Sequence, residues 1–215
     1  MTVSAVVFDL GGVLTESPLH AFTVYEMEAG LPEGLIRRLN STNPHTNAWA
    51  RYERNEVDVS GFSALVQEEA LAAGHFVDAG KVLQALRGEL RPSMVAAVRR
   101  LKEAGLPLGL LSNNVSPMEA TGELADVLAL FDAVVESSVE GVRKPEPEIY
   151  ELTLTRLSKA VGRRIEATDC AYLDDLGINL KPARAMGFST IKVVDPAEAL
   201  AELSELVGFP LDGAA

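Results

Sequence analysis

The sequence predicts an α/β protein: a parallel sheet flanked by helices, with a helical insertion after the first strand. Three observations carry this reading. Short β-like runs alternate with amphipathic helical patterns over most of the chain, as in a parallel sheet with crossover helices. From about residue 16 to residue 90 the alternation breaks, and helical patterns follow one another with few β-like runs. Several β-like runs end abruptly in polar residues, and in a parallel sheet those ends share one edge, where open α/β sheets bind their ligands.

The elements follow in order. Ala5–Phe8 is a short apolar run ended by Asp9 and the pair Gly11-Gly12, which makes a tight turn where backbone can approach a ligand closely. Within the insertion, Leu31–Leu39 and Phe62–Ala73 have helical spacing. Between them, Asn43-Pro44-His45-Thr46-Asn47 reads as a loop, and Trp49 opens a helix as part of the local core rather than as a substrate platform. Ser93–Glu103 places Met94, Val95, Val98 and Leu101 on one side and stops before Gly105. The remaining strands are Pro107–Leu111, Ala133–Val135, Ala171–Leu173 and Thr190–Val193. The helix Glu148–Val161 precedes Ala171, and the short helix Leu180–Met186 is stopped by Gly187. Residues 1–15 and 91–215 are therefore expected to form the core domain and 16–90 a helical cap domain.

Composition narrows the function. With 215 residues, 47% of them hydrophobic, the chain can build a sizeable core. Its 19 Lys and Arg against 31 Asp and Glu give a net charge of -12, which argues against a nucleic-acid or anionic membrane partner. Cys170 is the single cysteine, lies in an apolar run and reads as a small buried hydrophobe. The start of the chain has no basic region before its short apolar stretch, and no apolar run approaches a membrane span, so a soluble cytoplasmic protein is expected.

Four strand-end segments carry chemistry: Asp9, Ser112-Asn113-Asn114, Lys144 before Pro145, and Asp174-Asp175. Taken singly, each has a plain structural reading as a turn residue, helix cap, surface lysine or solvated acidic loop. Together and in this order they make an oxygen-rich site suited to Mg²⁺, which is commonly held by one or two carboxylates, waters and substrate phosphate. A carboxylate attacking a phosphate meets like-charge repulsion of about 4 kcal/mol per charge pair at about 4 Å and an effective dielectric near 20. Mg²⁺ and the Lys144 ammonium would offset it. Asp9 would then serve as a covalent nucleophile.

This order of residues resembles the four motifs of the haloacid dehalogenase-like (HAD) hydrolase superfamily. The segments Val135–Tyr150 and Leu173–Arg184 are similar to the phosphatase-type N-terminal domain of soluble epoxide hydrolase and to the hydrolase domain fused to some acyl-CoA dehydrogenases. The resemblance implies a Rossmann-like core with an inserted cap. It implies Asp9 as nucleophile and metal ligand, Ser112 and Asn113 as phosphoryl-binding residues, and Lys144 as the neutralising cation. It further implies Asp175 as a metal ligand supported by Asp174, and Asn179 near the active site. Gly11 departs from the phosphatase pattern, which has Asp there to protonate the leaving alcohol and activate water; Gly11 retains the backbone carbonyl that ligates the metal.

The expected activity is thus Mg²⁺-dependent hydrolysis of a small phosphorylated metabolite, with the acid–base position vacated. Two routes could supply the missing proton's function: a good leaving group, or a cap residue, for which Glu16, His20 and His45 are the candidates. His45, Asn47 and Arg51 are the candidate substrate contacts. The alternatives are a 2-haloacid dehalogenase, whose halide leaving group needs no proton but whose chemistry leaves Asp174-Asp175 idle, and a weakly active or non-catalytic binding protein on the same fold. A phospho-accepting receiver domain places its acidic pair after the first strand and its acceptor later, the reverse of the order here.

Overall fold

Strand β1, Ala5–Phe8, is buried along its whole length on both faces, and the rest of the core is arranged around it. The computed structural model describes residues 2–86, 88–118 and 120–211. After β1 the chain makes one wide turn, Leu10–Leu14, closed by the Thr15 N–H donating to the Leu10 carbonyl. Five helices follow: α1 Pro18–Glu28, α2 Leu35–Ser41, α3 Ala48–Glu53, α4 Val59–Ala72 and α5 Ala79–Gln84. The chain then runs through α6 Pro92–Glu103, β2 Leu108–Ser112, α7 Gly122–Leu128, β3 Ala133–Glu136, α8 Ser137–Glu140 and α9 Pro147–Val161. It ends with β4 Cys170–Asp174, α10 Gly177–Met186, β5 Ser189–Lys192 and α11 Pro196–Val207.

The sheet order is β3-β2-β1-β4-β5, and every pairing is parallel. The alternation of side chains along each strand explains the two cores. Val6 and Phe8, with Leu108, Leu110 and Leu173, pack against α6 and α11 on one face. Ala5 and Val7, with Leu111, Cys170 and Tyr172, pack against α9 and α10 on the other. A third apolar cluster has its buried residues within α1–α5 and the segments joining them, centres on Trp49, Phe62 and Phe22, and is joined by Val115 from after β2. Trp49 is core, as its sequence context predicts. Among the described residues no helix is long and apolar enough to cross a membrane.

Strand positions agree with the sequence reading to within a residue or two. The second strand begins at Leu108 rather than Pro107, since proline brings no N–H to the ladder, and it extends to Ser112. The helix expected at Leu31–Leu39 differs more. Pro32 and Gly34, the latter at φ 74°, break the Leu31–Leu39 pattern, and α2 starts at Leu35. Its first turn is held from α1: the buried Glu26 carboxylate accepts the N–H groups of Gly34 and Ile36, each at 2.7 Å. That cap across helices has no local sequence signature. Asp58 caps α4, which therefore begins at Val59 instead of Phe62.

Candidate active site

The site is built where the strand order reverses. β2 and β4 flank β1, so the carboxyl end of β1 opens into the crevice at the sheet's switch point. Asp9 is the first residue past β1, Ser112 the last of β2 and Asp174 the last of β4. All three are buried. Carboxylate oxygens of Asp9, Asp174 and Asp175 lie within 4.8 Å of one another. Lys144 enters from the loop between α8 and α9 across a cis Lys144–Pro145 bond. Its side chain is 1% exposed, and Nζ lies 2.8 Å from Asp9 Oδ2 and 2.8 Å from Asp174 Oδ2.

The turn after β1 explains how a carboxylate can sit so close to backbone. Gly12 has φ 76°, a conformation that favours glycine. A Cβ there would stand 2.3 Å from Asp175 Oδ2, so Asp175 occupies the space that a side chain at position 12 would fill. Gly11 has φ -70° and ψ 127°, and its Cβ position is open, with nothing within 4 Å. The Asp9 carboxylate also accepts the Leu10 N–H at 2.7 Å through Oδ1.

Charge is unbalanced here. Three carboxylates face one ammonium, so the fully ionised cluster carries a net charge of -2. Burial pushes the Asp9 carboxyl well above its usual range, and Asp174 and Asp175 add to the rise while Lys144 opposes it. Burial and the Asp174 charge push Asp175 up to about 6. For Lys144, burial acts to lower the pKa, but the Asp174 and Asp9 carboxylates outweigh it and the ammonium is held above its ordinary value. An oxygen-rich set with surplus negative charge and a glycine-lined cradle fits a small divalent cation such as Mg²⁺.

Asp174 and Asp175 have different surroundings. Asp174 is fully buried and accepts from Lys144 Nζ, the Tyr172 hydroxyl, Asn179 Nδ2 and the Leu176 N–H. The Asn179 carbonyl in turn accepts from the Tyr150 hydroxyl at 2.8 Å. These partners hold Asp174 as a fixed anchor for Lys144, and Asn179 belongs to that support. Asp175 is only partly buried and faces the Gly12 turn.

The other candidates from the sequence have contacts of their own. Asn47 is buried, but its side chain is spent: Oδ1 accepts the Ala50 N–H at the start of α3, and Nδ2 donates to the carbonyls of Leu39, Asn40 and Thr42. It is a cap and loop tie, with its amide donors committed to backbone carbonyls. Arg51 is 40% exposed and pairs with Glu56 at 3.5 Å. His45 is exposed, and its carbonyl accepts from Arg54. His20 is exposed on α1, and Glu16 is exposed and lies 3.5 Å from Arg91. The Asn113 side chain is committed to the Lys144 backbone and to Glu53 instead of being free for a phosphoryl group. Glu53, Arg143, Tyr150 and Tyr172 were not apparent from the sequence as parts of this region. Glu53 and Arg143 lie 90 residues apart in sequence and meet only in space, so no local pattern marks them. Two surface grooves of about 400 and 380 Å³ lie in the insertion around Phe76 and Asp78, and neither is lined by any residue of the acidic cluster.

Fold and site together define a doubly wound α/β protein with an acidic, lysine-bridged centre at its strand edge. The family of hydrolases described as haloacid dehalogenase-like matches residues 3–187, and the chain belongs to that family. The mouse protein "Acyl-CoA dehydrogenase family member 10" is 34% identical over 215 residues, covering 96% of this chain and 19% of the mouse protein. Pig "Bifunctional epoxide hydrolase 2" is 29% identical over 98% of this chain and 40% of its own length, so the chain spans only a fifth to two fifths of these two relatives. The "Sesquiterpene phosphatase" of Aspergillus oryzae is 26% identical and is matched nearly end to end, over 96% of this chain and 98% of its own. Among solved structures, a dehalogenase with an intermediate complex superposes with a TM-score of 0.65 at 18% identity, covering 96% of this chain and 97% of its own. A HAD family enzyme of Bacteroides thetaiotaomicron, in complex with magnesium and inorganic phosphate, does so with a TM-score of 0.56 at 20% identity, covering 88% and 93%. These two likenesses establish the shared fold.

Proposed function

We propose that this chain is a Mg²⁺-dependent phosphohydrolase that acts on a small phosphorylated metabolite through an aspartyl phosphate on Asp9. The convergence of the Asp9, Asp174 and Asp175 carboxylates within 4.8 Å, with Lys144 bridging two of them, carries the reading. A haloacid dehalogenase would have no use for that surplus of negative charge. The phosphatase relative matched along nearly its whole length supports the same choice.

The side chains divide the work. Asp9 and Asp175, with the Gly11 carbonyl, would hold Mg²⁺, which when bound supplies positive charge against the phosphoryl oxygens. The Lys144 ammonium, fixed by Asp174, lowers the repulsion between the Asp9 carboxylate and the incoming anion. An Asp9 oxygen forms a bond to phosphorus as the bond from phosphorus to the leaving oxygen breaks, and the alcohol departs with its electron pair. Water then attacks the aspartyl phosphate at phosphorus, releasing inorganic phosphate and regenerating the Asp9 carboxylate. In this reading Ser112, buried at the end of β2, steadies a phosphoryl oxygen. Gly11 offers no proton to the leaving group, so the reading favours substrates whose leaving group is a stable anion. The helical segment 16–90 acts in this scheme as a cap domain over the core formed by 1–15 and 91–215.

The test is a panel of phosphate esters, acyl phosphates and 2-haloacids assayed for phosphate and halide release with and without Mg²⁺, beside Asp9→Asn. Phosphate release that needs Mg²⁺ and is abolished by Asp9→Asn is expected. Phosphate release untouched by Asp9→Asn removes the nucleophile assignment, and metal-independent halide release moves the chain to the dehalogenase reading.

A further inference from the structure

We infer that Glu53, on the helical insertion, is a positioning residue for Lys144 and acts through Asn113; the inference rests on Lys144 being the neutralising cation of the proposed reaction. Asn113 grips the Lys144 backbone from both sides. Its side-chain oxygen accepts the Lys144 N–H at 2.8 Å, and Nδ2 donates to the Lys144 carbonyl at 3.0 Å. The same Nδ2 donates to Glu53 Oε2 at 3.0 Å. Glu53 is itself pinned by Arg143, whose Nε lies 2.5 Å from that same Oε2 and whose Nη1 donates to the Pro44 carbonyl at 2.9 Å. The Glu53–Arg143 pair is almost fully buried, with side-chain exposures of 11% and 9%.

A second pair runs in the opposite sense. Arg54 Nη1 donates to Glu146 Oε1 at 3.0 Å, and Glu146 Oε2 accepts the Arg143 N–H at 3.1 Å. Glu53 and Arg54 on the insertion thus face Arg143 and Glu146 on the core. A shift of the insertion along this contact would bring like charges together, so the charges specify one docking position. Both pairs close on the four residues 143–146 that carry Lys144.

An ordinary salt bridge between two parts of a protein would hold them together without reaching the reacting groups. Here a single carboxylate oxygen accepts from the residue before Lys144 and from the amide that clamps the Lys144 backbone. The ammonium must sit 2.8 Å from two carboxylates at once, and a misplacement of about 1 Å in such a group can cost about 10²-fold in rate. Glu53 therefore ties the position of the insertion to the position of the charge beside Asp9.

The experiment combines kinetics on p-nitrophenyl phosphate with Mg²⁺ and hydrogen–deuterium exchange at the Lys144 amide. Glu53→Ala is expected to lower kcat by about tenfold or more with KM changed by less than about threefold, and to speed Lys144 exchange without changing β1 or β4. Because both bonds end on one oxygen, Glu53→Gln keeps the acceptor for Asn113 but leaves the buried Arg143 guanidinium without its countercharge, so a partial recovery of kcat and of Lys144 protection over Glu53→Ala is expected. A purely structural bridge would shift kcat and KM together or neither, and would not be rescued by Gln. Asn113→Ala leaves the Glu53–Arg143 pair in place and carries the same expectation should Glu53→Ala fail to fold. Unchanged exchange at Lys144 in the folded variants overturns the inference. A wild type that releases no phosphate from any member of the phosphate-ester and acyl-phosphate panel removes the phosphohydrolase reading instead, while the exchange measurement still decides the clasp.

Discussion

Replacing Gly11 by Asp should raise the turnover of phosphate esters. Position 11 has φ -70° and ψ 127°, an ordinary extended conformation for any residue, and a Cβ there meets no atom within 4 Å. A side chain can be added without strain, and losing a glycine from the unfolded chain contributes about 0.4–1 kcal/mol of stability. Against this stands a fourth carboxylate near a cluster already at -2, so the gain requires the divalent cation. Positioned acid–base catalysis contributes roughly 10²–10⁴-fold, or about 2.7–5.4 kcal/mol of barrier. The leaving group provides the control. An alkyl phosphate releases a strongly basic alkoxide and should gain the most from Gly11→Asp, whereas p-nitrophenyl phosphate releases a stabilised anion and should gain little. The assay is kcat for both substrates in wild type, Gly11→Asp, Gly11→Asn and Gly11→Ala at saturating Mg²⁺. An equal gain on both substrates, or a gain in Gly11→Asn matching that in Gly11→Asp, would refute the idea that a missing proton donor limits this site.

Gly12→Ala should disable the site, because the Cβ would overlap Asp175 Oδ2 at 2.3 Å and the φ of 76° strains any other residue, costing about 1–3 kcal/mol; a loss of Mg²⁺ affinity by calorimetry checks it. Titrating Mg²⁺ should raise the thermal midpoint of the wild type, by about 2.7 kcal/mol of stability at a hundredfold excess over Kd, and Asp175→Asn should remove most of that rise in a calorimetric melt. Burial pushes the Cys170 thiol up to about 12, so it should resist iodoacetamide in the native protein at pH 8 and react once unfolded in urea. Because that pKa is raised above the unfolded value, the associated stability is complete below about pH 8.5 and falls as pH rises toward 12, by up to about 1.4 kcal/mol per pH unit; Cys170→Ala should flatten that part of a urea-midpoint profile.

The legible parts of this molecule are those governed by local pattern. Val6-Val7-Phe8 reads as a buried strand because both faces of a central parallel strand are covered, and Asp9 reads as a strand-end acid because Gly11-Gly12 follows at once. The gathering of Asp9, Lys144 and Asp174-Asp175 follows from topology, once parallel strands put their ends on one edge. Residues whose roles depend on a distant partner were not legible. Asn47 looks like a polar loop residue suited to a substrate, yet the chain folds back so that three carbonyls consume its amide. Glu26 looks like an ordinary helix acid beside Glu28 on α1, but it caps α2. Asn113 fits a phosphate-binding motif in sequence, and only the approach of the Lys144 loop shows that its side chain is committed to backbone.

The adjacent acids Asp174 and Asp175 show how one dipeptide can serve two ends. Strand alternation sends neighbouring side chains to opposite sides, and β4 ends between them. Asp174 therefore stays in the core, where Tyr172, Asn179 and the Leu176 N–H fix it and let it hold Lys144. Asp175 is carried past the strand end to the Gly12 turn, partly open to solvent. Buried carboxylates that accept several hydrogen bonds are poorly placed to rearrange around an incoming ion, whereas a partly exposed one with a glycine opposite it can. On this argument Asp174→Asn should damage the fold and the Lys144 position together, lowering the urea midpoint. Asp175→Asn should leave the urea midpoint of the metal-free protein unchanged or raised, because it removes a carboxylate whose ionisation burial and Asp174 already disfavour. If both variants lower the metal-free midpoint equally, the division between anchor and ion-facing ligand is wrong.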